Sequence, residues 1–264
     1  MEIKNNPLVS ADPTKAYIKI FCLHHAGGSS FSYCMLNRFF PKWVQTVLID
    51  LPGRGKRIRE PCFTNIYDMV ELIVEDIFFH AEDIPYAIFG HSMGALLAYL
   101  ATKKLTESAC ESLPLHLFLS GYYGPSVEIK NDWYLLPDQE FIKKVSKLGG
   151  MQQEIAAEKE LMDFFIPIMK ADFQSLNSYK YTKAKPFDIP ETIFVGNQDP
   201  FGMNQSISWQ ETTTQKIFVK EFNGGHFFVF DILYQLAEII SQTLIPSHVN
   251  KLSNIVEKFP KGDR

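Results

Sequence analysis

Gly90-His91-Ser92-Met93-Gly94 sets a serine between two glycines, each two residues away. A G-x-S-x-G string alone is weak. At about 7% for each fixed residue, a chain of this length holds one by chance about one time in ten. The setting makes it stronger: the apolar run at 86–89 (YAIF) leads into it and an apolar helical pattern (MGALLAYLA) leaves it. This is the strand–turn–helix context that projects a nucleophilic hydroxyl. Side chains in place of the two glycines would collide with the neighbouring strand and helix. The chemistry is acyl transfer, and a serine hydroxyl at neutral pH needs a base for it.

For such a nucleophile the acid and then the histidine follow along the chain. Three histidines lie downstream: His116, His226 and His248. His116 falls in a predicted strand, where core packing or a satisfied hydrogen bond explains it. His248 falls in a polar tail and suits a solvated surface. His226, in Asn223-Gly224-Gly225-His226-Phe227-Phe228, follows a predicted strand on a glycine-rich loop that lets an imidazole reach back to the serine. The acid belongs at the end of the preceding strand, and Asp199 in Gly196-Asn197-Gln198-Asp199-Pro200 fits. Glu128 and Asp132 are the runners-up, and Asp50 precedes the serine and breaks the order.

A tetrahedral intermediate needs amides to bind its oxyanion. One is the N–H of Met93, at the start of the helix after the serine. The second belongs to the loop His24-His25-Ala26-Gly27-Gly28-Ser29-Ser30 after the first strand, where two glycines let the backbone turn inward. That loop is not a phosphate cradle, because G-x-x-x-x-G-K-[ST] is missing. No carboxylate or cysteine cluster accompanies His24 and His25, so no metal site is expected.

The elements that must position these residues are short apolar runs at 17–22, 44–49, 86–89, 115–119, 192–195 and 216–221, the length and composition of strands covered on both faces. Helical patterns occupy 67–79, 93–105 and 231–245. The alternation predicts an α/β architecture, a mainly parallel sheet with helices on both faces. About 70 residues separate the fourth strand from the fifth, more than a connection needs. There Pro137 and Asp138 start a helix that Gly149 and Gly150 end. A second helix at about 155–180 carries Pro167, which should kink it or divide it. The tail 246–264 is polar and reads as loose.

The 264 residues are 46% hydrophobic and 14% aromatic, with 22 Phe, and 30 acids against 26 Lys and Arg give a net charge of −4. Disorder is excluded by the apolar fraction, and at about 150 residues per domain a single domain is expected. A mildly acidic chain is no generic nucleic-acid binder. The N-terminal MEIKNNPLVSADPTK lacks the apolar core of a signal peptide, and no apolar run reaches spanning length, so a cytoplasmic protein outside the membrane is expected. Cys22, Cys34, Cys62 and Cys110 show no metal-type spacing and read as buried or free thiols.

Taken together, the residues resemble the type II thioesterase family, free-standing α/β hydrolases that serve polyketide, nonribosomal-peptide and fatty-acid synthases. The resemblance runs from about 18 to 240. It rests on His25-Ala26-Gly27-Gly28; Leu51-Pro52-Gly53-Arg54, continuing to Arg57 and Glu60-Pro61; Gly90-His91-Ser92-Met93-Gly94; Leu148-Gly149-Gly150; Ile168 with Lys170-Ala171-Asp172-Phe173; Gly196 to Asp199-Pro200; and Gly224-Gly225-His226-Phe227. His24 departs from it, standing where the family commonly has Pro, and so does the loop at 121–129.

The resemblance implies an α/β-hydrolase fold as one domain over 1–264, with a helical lid inserted at about 130–185. It implies a triad of Ser92, Asp199 and His226 and an oxyanion hole from the Ala26 and Met93 amides. The implied activity is hydrolysis of acyl groups from the phosphopantetheine arm of an acyl or peptidyl carrier protein. No cofactor is implied, since the substrate carries the arm, and a monomer is expected. Carrier proteins are acidic, so Arg54, Arg57 and Arg59, with Lys56, are the expected docking residues. Phe141, Phe164, Phe165 and Phe173, with Phe227 and Phe228, could cover an acyl chain. A carboxylesterase or lipase acting on small or medium-chain esters would share the triad, and a silent binding module would have lost one of its members.

Overall fold

The computed structural model describes residues 17–110, 112–127, 132–149 and 158–257. Six strands form one sheet: β1 Ile18–Leu23, β2 Val44–Leu48, β3 Tyr86–His91, β4 Leu117–Ser120, β5 Glu191–Gly196 and β6 Phe218–Phe222. All neighbours are parallel, in the order β2-β1-β3-β4-β5-β6. β4 and β6 begin two residues later than the apolar runs suggest, a shift within the usual fraying of element ends.

Alternation along the strands builds two cores. Ile18, Ile20 and Cys22 of β1, with Ala87 and Phe89 of β3, face a cluster that includes Leu236, Ala237 and Ile240. Phe21 and Leu23, with Tyr86 and Ile88, face the other side, against Ile73, Leu96 and Leu97. Both faces are covered, which is why these strands read as continuous apolar runs. The covering helices are α1 Ile66–Ala81, capped by the Asn65 side chain accepting from the Tyr67 N–H, and α2 Met93–Glu107 on one face.

Among the described residues two α-helices lie between β4 and β5: α3 Asp138–Ser146, beginning after Pro137, and α4 Lys159–Ser178. α4 does not divide at Pro167. The proline sits on the exposed face, where water can serve the carbonyl that it leaves unbonded. Phe141, Val145, Met162, Ile166, Met169 and Phe173 give the pair an apolar cluster of their own. A short α5, Met203–Ser206, follows β5, and α6 Leu233–Glu257 covers the second face. The polar 246–257 segment is therefore helix rather than loose tail, a continuation of α6, and 258–264 lie outside the described residues.

Candidate active site

Ser92 sits between β3 and α2 with φ 55° and ψ −121°, a strained conformation for a residue with a side chain. The flanking glycines make it possible. A Cβ on Gly90 would lie 2.1 Å from the Gly94 carbonyl oxygen, and one on Gly94 would lie 2.1 Å from that of Leu23 in β1. The Ser92 N–H donates to the Ser120 carbonyl at 2.7 Å, which fixes the turn to the end of β4.

His226 enters from the loop after β6 and Asp199 from the loop after β5. The His226 Nδ1–H donates to Asp199 Oδ2 at 3.0 Å, which leaves Nε2 as acceptor for the Ser92 hydroxyl at 2.9 Å. Asp199 Oδ1 also accepts the Phe201 N–H at 3.0 Å. Asp199 and His226 are both buried, so their bond is shielded from water.

The surrounding imidazoles do not compete for this proton. His25 and His91 line up behind His226, with the His91 and His226 rings 5.0 Å apart. Burial, then the neighbouring histidines, lowers His25 to about 3 and holds His91 well below the usual range. Burial lowers His24 to about 4, with Arg54 adding to the effect. All three are neutral near pH 7, and none puts a cation beside His226. His116 is where core packing predicts it, its Nε2 2.9 Å from Thr192 Oγ1 and its ring stacked on Phe118. The His248 side chain and Glu128 lie outside the described residues; Asp132 is exposed in a short turn.

Ala26, Ser92 and His226 open into a cavity of about 530 Å³. Its walls include Trp133, Phe173, Leu176 and Phe201, with Tyr122 and Tyr123 from the loop after β4 and Lys144 and Lys147 from the end of α3. Of the aromatic residues expected to cover an acyl chain, Phe173 lines this cavity. Phe141 is buried in the α3–α4 cluster, and Phe164 is exposed on the outer face of α4. Phe227 and Phe228 border a second cavity of about 560 Å³ on the other side of His226. Trp133, Lys144 and Lys147 escaped sequence reasoning because they lie on no motif; the aromatic surplus of the insertion was the only signal.

Arg54 is not on a docking rim. It is 4% exposed, and its guanidinium grips Asp172 of α4 with Nη1 at 2.5 Å from Oδ2 and Nη2 at 2.8 Å from Oδ1. Burial works against its charge, but the Asp172 carboxylate outweighs that and lifts its pKa above the ordinary value. The basic character of LPGR in fact serves an internal pair. Arg57 is half-buried on Glu60, and Arg59 is exposed. Asp50, the carboxylate that broke the expected order, accepts from the Ser30 N–H and hydroxyl and from the Lys56 N–H, joining the loops after β1 and β2. Among the described residues there is no cluster of three or more His, Cys, Asp or Glu able to hold a metal ion.

Comparisons with known proteins give the family. A family model described as thioesterase domain matches residues 18–244. The gramicidin S biosynthesis protein GrsT of Aneurinibacillus migulanus is 34% identical over 231 residues, covering 87% of this chain and 90% of that one. The structure of ClbQ from the colibactin NRPS/PKS pathway is 30% identical with a TM-score of 0.82, covering 88% of this chain and 98% of that one. The type II thioesterase BorB from the borrelidin biosynthetic cluster is 25% identical with a TM-score of 0.80, covering 89% and 94%. The chain belongs to the thioesterase family and is a thioesterase, a hydrolase built on the α/β-hydrolase fold.

Proposed function

We propose that this thioesterase is of type II and removes acyl groups from the phosphopantetheine arm of a carrier protein in a polyketide, nonribosomal-peptide or fatty-acid synthase. The observation that carries the reading is the unbroken line Asp199–His226–Ser92 opening on a largely aromatic cavity. His226 takes the Ser92 proton as Oγ bonds to the thioester carbon. The oxyanion is received by the Ala26 and Met93 amides. The C–S bond then breaks and the thiol leaves with the proton held by His226. Water, deprotonated by His226, attacks the acyl-serine and the carboxylic acid departs.

The whole chain acts as one domain in this reading, with the segment at about 130–185 as its lid. α3, with Trp133 ahead of it, closes over the acyl group against the wall that α4 provides. Lys144 and Lys147 give the cavity a positive border, complementary to the phosphodiester of the arm. Arg57 and Arg59 remain as carrier contacts. The enzyme works as a cytoplasmic monomer without a cofactor; no helix among the described residues is long and apolar enough to cross a membrane.

The test compares an acyl group presented on a carrier protein, on coenzyme A and on nitrophenol, with Ser92→Ala as control. The carrier-bound substrate is expected to have the highest kcat/KM, and Ser92→Ala to abolish turnover of all three. Activity surviving Ser92→Ala sinks the mechanism. Equal or better turnover of the nitrophenyl ester moves the enzyme to the carboxylesterases.

A further inference from the structure

The buried carboxylate of Asp172 has three hydrogen bonds, and only two come from Arg54. The third is the Gly27 backbone N–H, which donates to Oδ2 at 2.7 Å. Gly27 follows Ala26, which lines the cavity with Ser92 and His226. The same face of α4 also packs on this loop: a Cβ on Gly27, at φ +76°, would lie 2.6 Å from Met169 Cγ. The loop is closed on itself by the Gly28 N–H donating to the His25 carbonyl at 2.9 Å.

An oxyanion site works by holding its donors in place before charge develops, so that nothing reorganises at the moment of reaction. The two peptide planes that meet at Ala26 share its Cα. Fixing the Gly27 N–H fixes the carbonyl side of Ala26, while the His25–Gly28 turn fixes the amide side. A buried ion pair is a poor device for stability alone, since well-packed apolar residues of similar size often do as well or better. What an apolar pair cannot do is accept a hydrogen bond from a backbone amide in the interior. Arg54 keeps the carboxylate ionised and oriented, and turns two further donors to the Pro52 carbonyl at 3.3 Å.

We infer that Asp172, held by Arg54, is a positioning residue for acyl transfer: it fixes the Ala26–Gly27 segment so that the Ala26 amide faces the developing oxyanion, making α4 a stationary wall of the oxyanion site. The inference rests on the proposed triad and on Ala26 as oxyanion donor. Two further bonds hold α4 to the body on the same side: Ser175 Oγ–H donates to the Phe63 carbonyl at 3.1 Å, and Ser178 Oγ accepts the Ile66 N–H at 3.0 Å.

The experiment uses paired variants, because Asp172 cannot be neutralised alone without stranding the buried Arg54. Arg54→Met with Asp172→Leu removes both charges and the acceptor for Gly27. Arg54→Gln with Asp172→Asn removes both charges and keeps an acceptor oxygen. Steady-state kinetics with an acyl thioester are read beside Ki for an alkyl trifluoromethyl ketone, which adds to the serine as a tetrahedral oxyanion, and beside the melting temperature. For the Met/Leu pair kcat should fall about 10- to 100-fold with KM within two-fold, and Ki should rise by the same factor. The Gln/Asn pair should recover most of both. Wild-type kcat and Ki in a folded Met/Leu pair overturn the inference, as does a fall in kcat with Ki unchanged. If the Met/Leu pair does not fold, a Gln/Asn pair that loses ten-fold or more in both readouts overturns it, and one within about three-fold supports it. Turnover that still depends on Ser92 while the Met/Leu pair behaves as wild type marks failure of the inference and not of the mechanism.

Discussion

Asp199 and Asp172 are both carboxylates shut away from water, and each holds a loop of the site, yet their partners differ in kind. Asp199 holds an imidazole, whose two nitrogens let it donate one proton and accept another. Asp172 holds a guanidinium, which cannot, and a backbone amide. In the proposed mechanism the first carboxylate sits on a proton's route, and the second is proposed to sit where nothing moves. Burial alone says little about the role of an acid; whether its partner can both give and accept a proton separates a moving part from a fixed one.

Asp199→Asn should have the largest effect. The amide keeps the size of the acid but favours the wrong tautomer of His226, so kcat/KM for an acyl thioester should fall on the order of 10³–10⁴-fold, with the melting temperature nearly unchanged. Steady-state kinetics on the folded variant measure it. A loss below ten-fold would put Asp199 with Asp172 among the merely positioning acids and collapse the comparison.

The two acids were not equally legible in the sequence. Asp199 lies at the end of an apolar run, in a turn just ahead of the next strand and the glycine-rich histidine loop, so chain order alone located it. Asp172 has partners 118 and 145 residues away, and nothing local to KADF tells an internal anchor from a solvated helix acid. The same blindness placed Arg54 on the surface, because LPGRGKRIR reads as an exposed basic loop. The strands and the nucleophile turn were legible since period and steric need are local. The cavity wall was not, because Tyr122, Trp133 and Lys147 meet only through the packing of α3 on α4 and the sheet.

Acid tests the histidine side of the contrast. His24, His91 and His116 are buried and His25 is half-buried, with no carboxylate bonded to them among the described residues. Burial lowers His24 and His116 to about 4 and His25 to about 3, and keeps His91 well below its usual range. The unfolded chain protonates these rings below about pH 6.5 and the folded chain does not. Stability therefore falls as pH drops from about 6.5 towards 4, by up to about 1.4 kcal/mol per pH unit for each ring. Denaturant unfolding across that range should show uptake of several protons. Uptake of fewer than one would mean that these sites are wetter than their packing implies.

Glu191 supplies a third buried carboxylate, one with no cation. Burial raises it to about 8, the Thr212 hydroxyl donates to Oε1 at 2.7 Å, and Oε2 has no partner among the described residues. The unfolded glutamate ionises near 4.5 and the folded one near 8, so this group costs stability as pH rises through that window, on the order of 1 kcal/mol per unit. Four histidines outweigh one glutamate below pH 6.5; above it Glu191 acts without them, and stability should peak between pH 6 and 7. Glu191→Gln keeps the Thr212 bond and should flatten the alkaline side, gaining most near pH 8. A variant no more stable at pH 8 than at pH 5, relative to the parent, would show that an unseen partner already satisfies the acid.

The smallest effect belongs to the charges outside the site. Arg57 already spends its guanidinium on Glu60, with Nη2 at 2.8 Å and Nε at 3.0 Å, so part of its field is cancelled before any partner arrives. Arg59 is exposed, and water and salt screen it. Reversing both to Glu should raise KM for a carrier-bound acyl group about two- to five-fold, less at high salt, and leave acyl-CoA turnover unaltered. Equal losses on the two substrates would remove these arginines from docking. Charge recognition would then fall to Lys144 and Lys147 at the border of the cavity itself, which bear on the arm that all carriers share rather than on any one carrier.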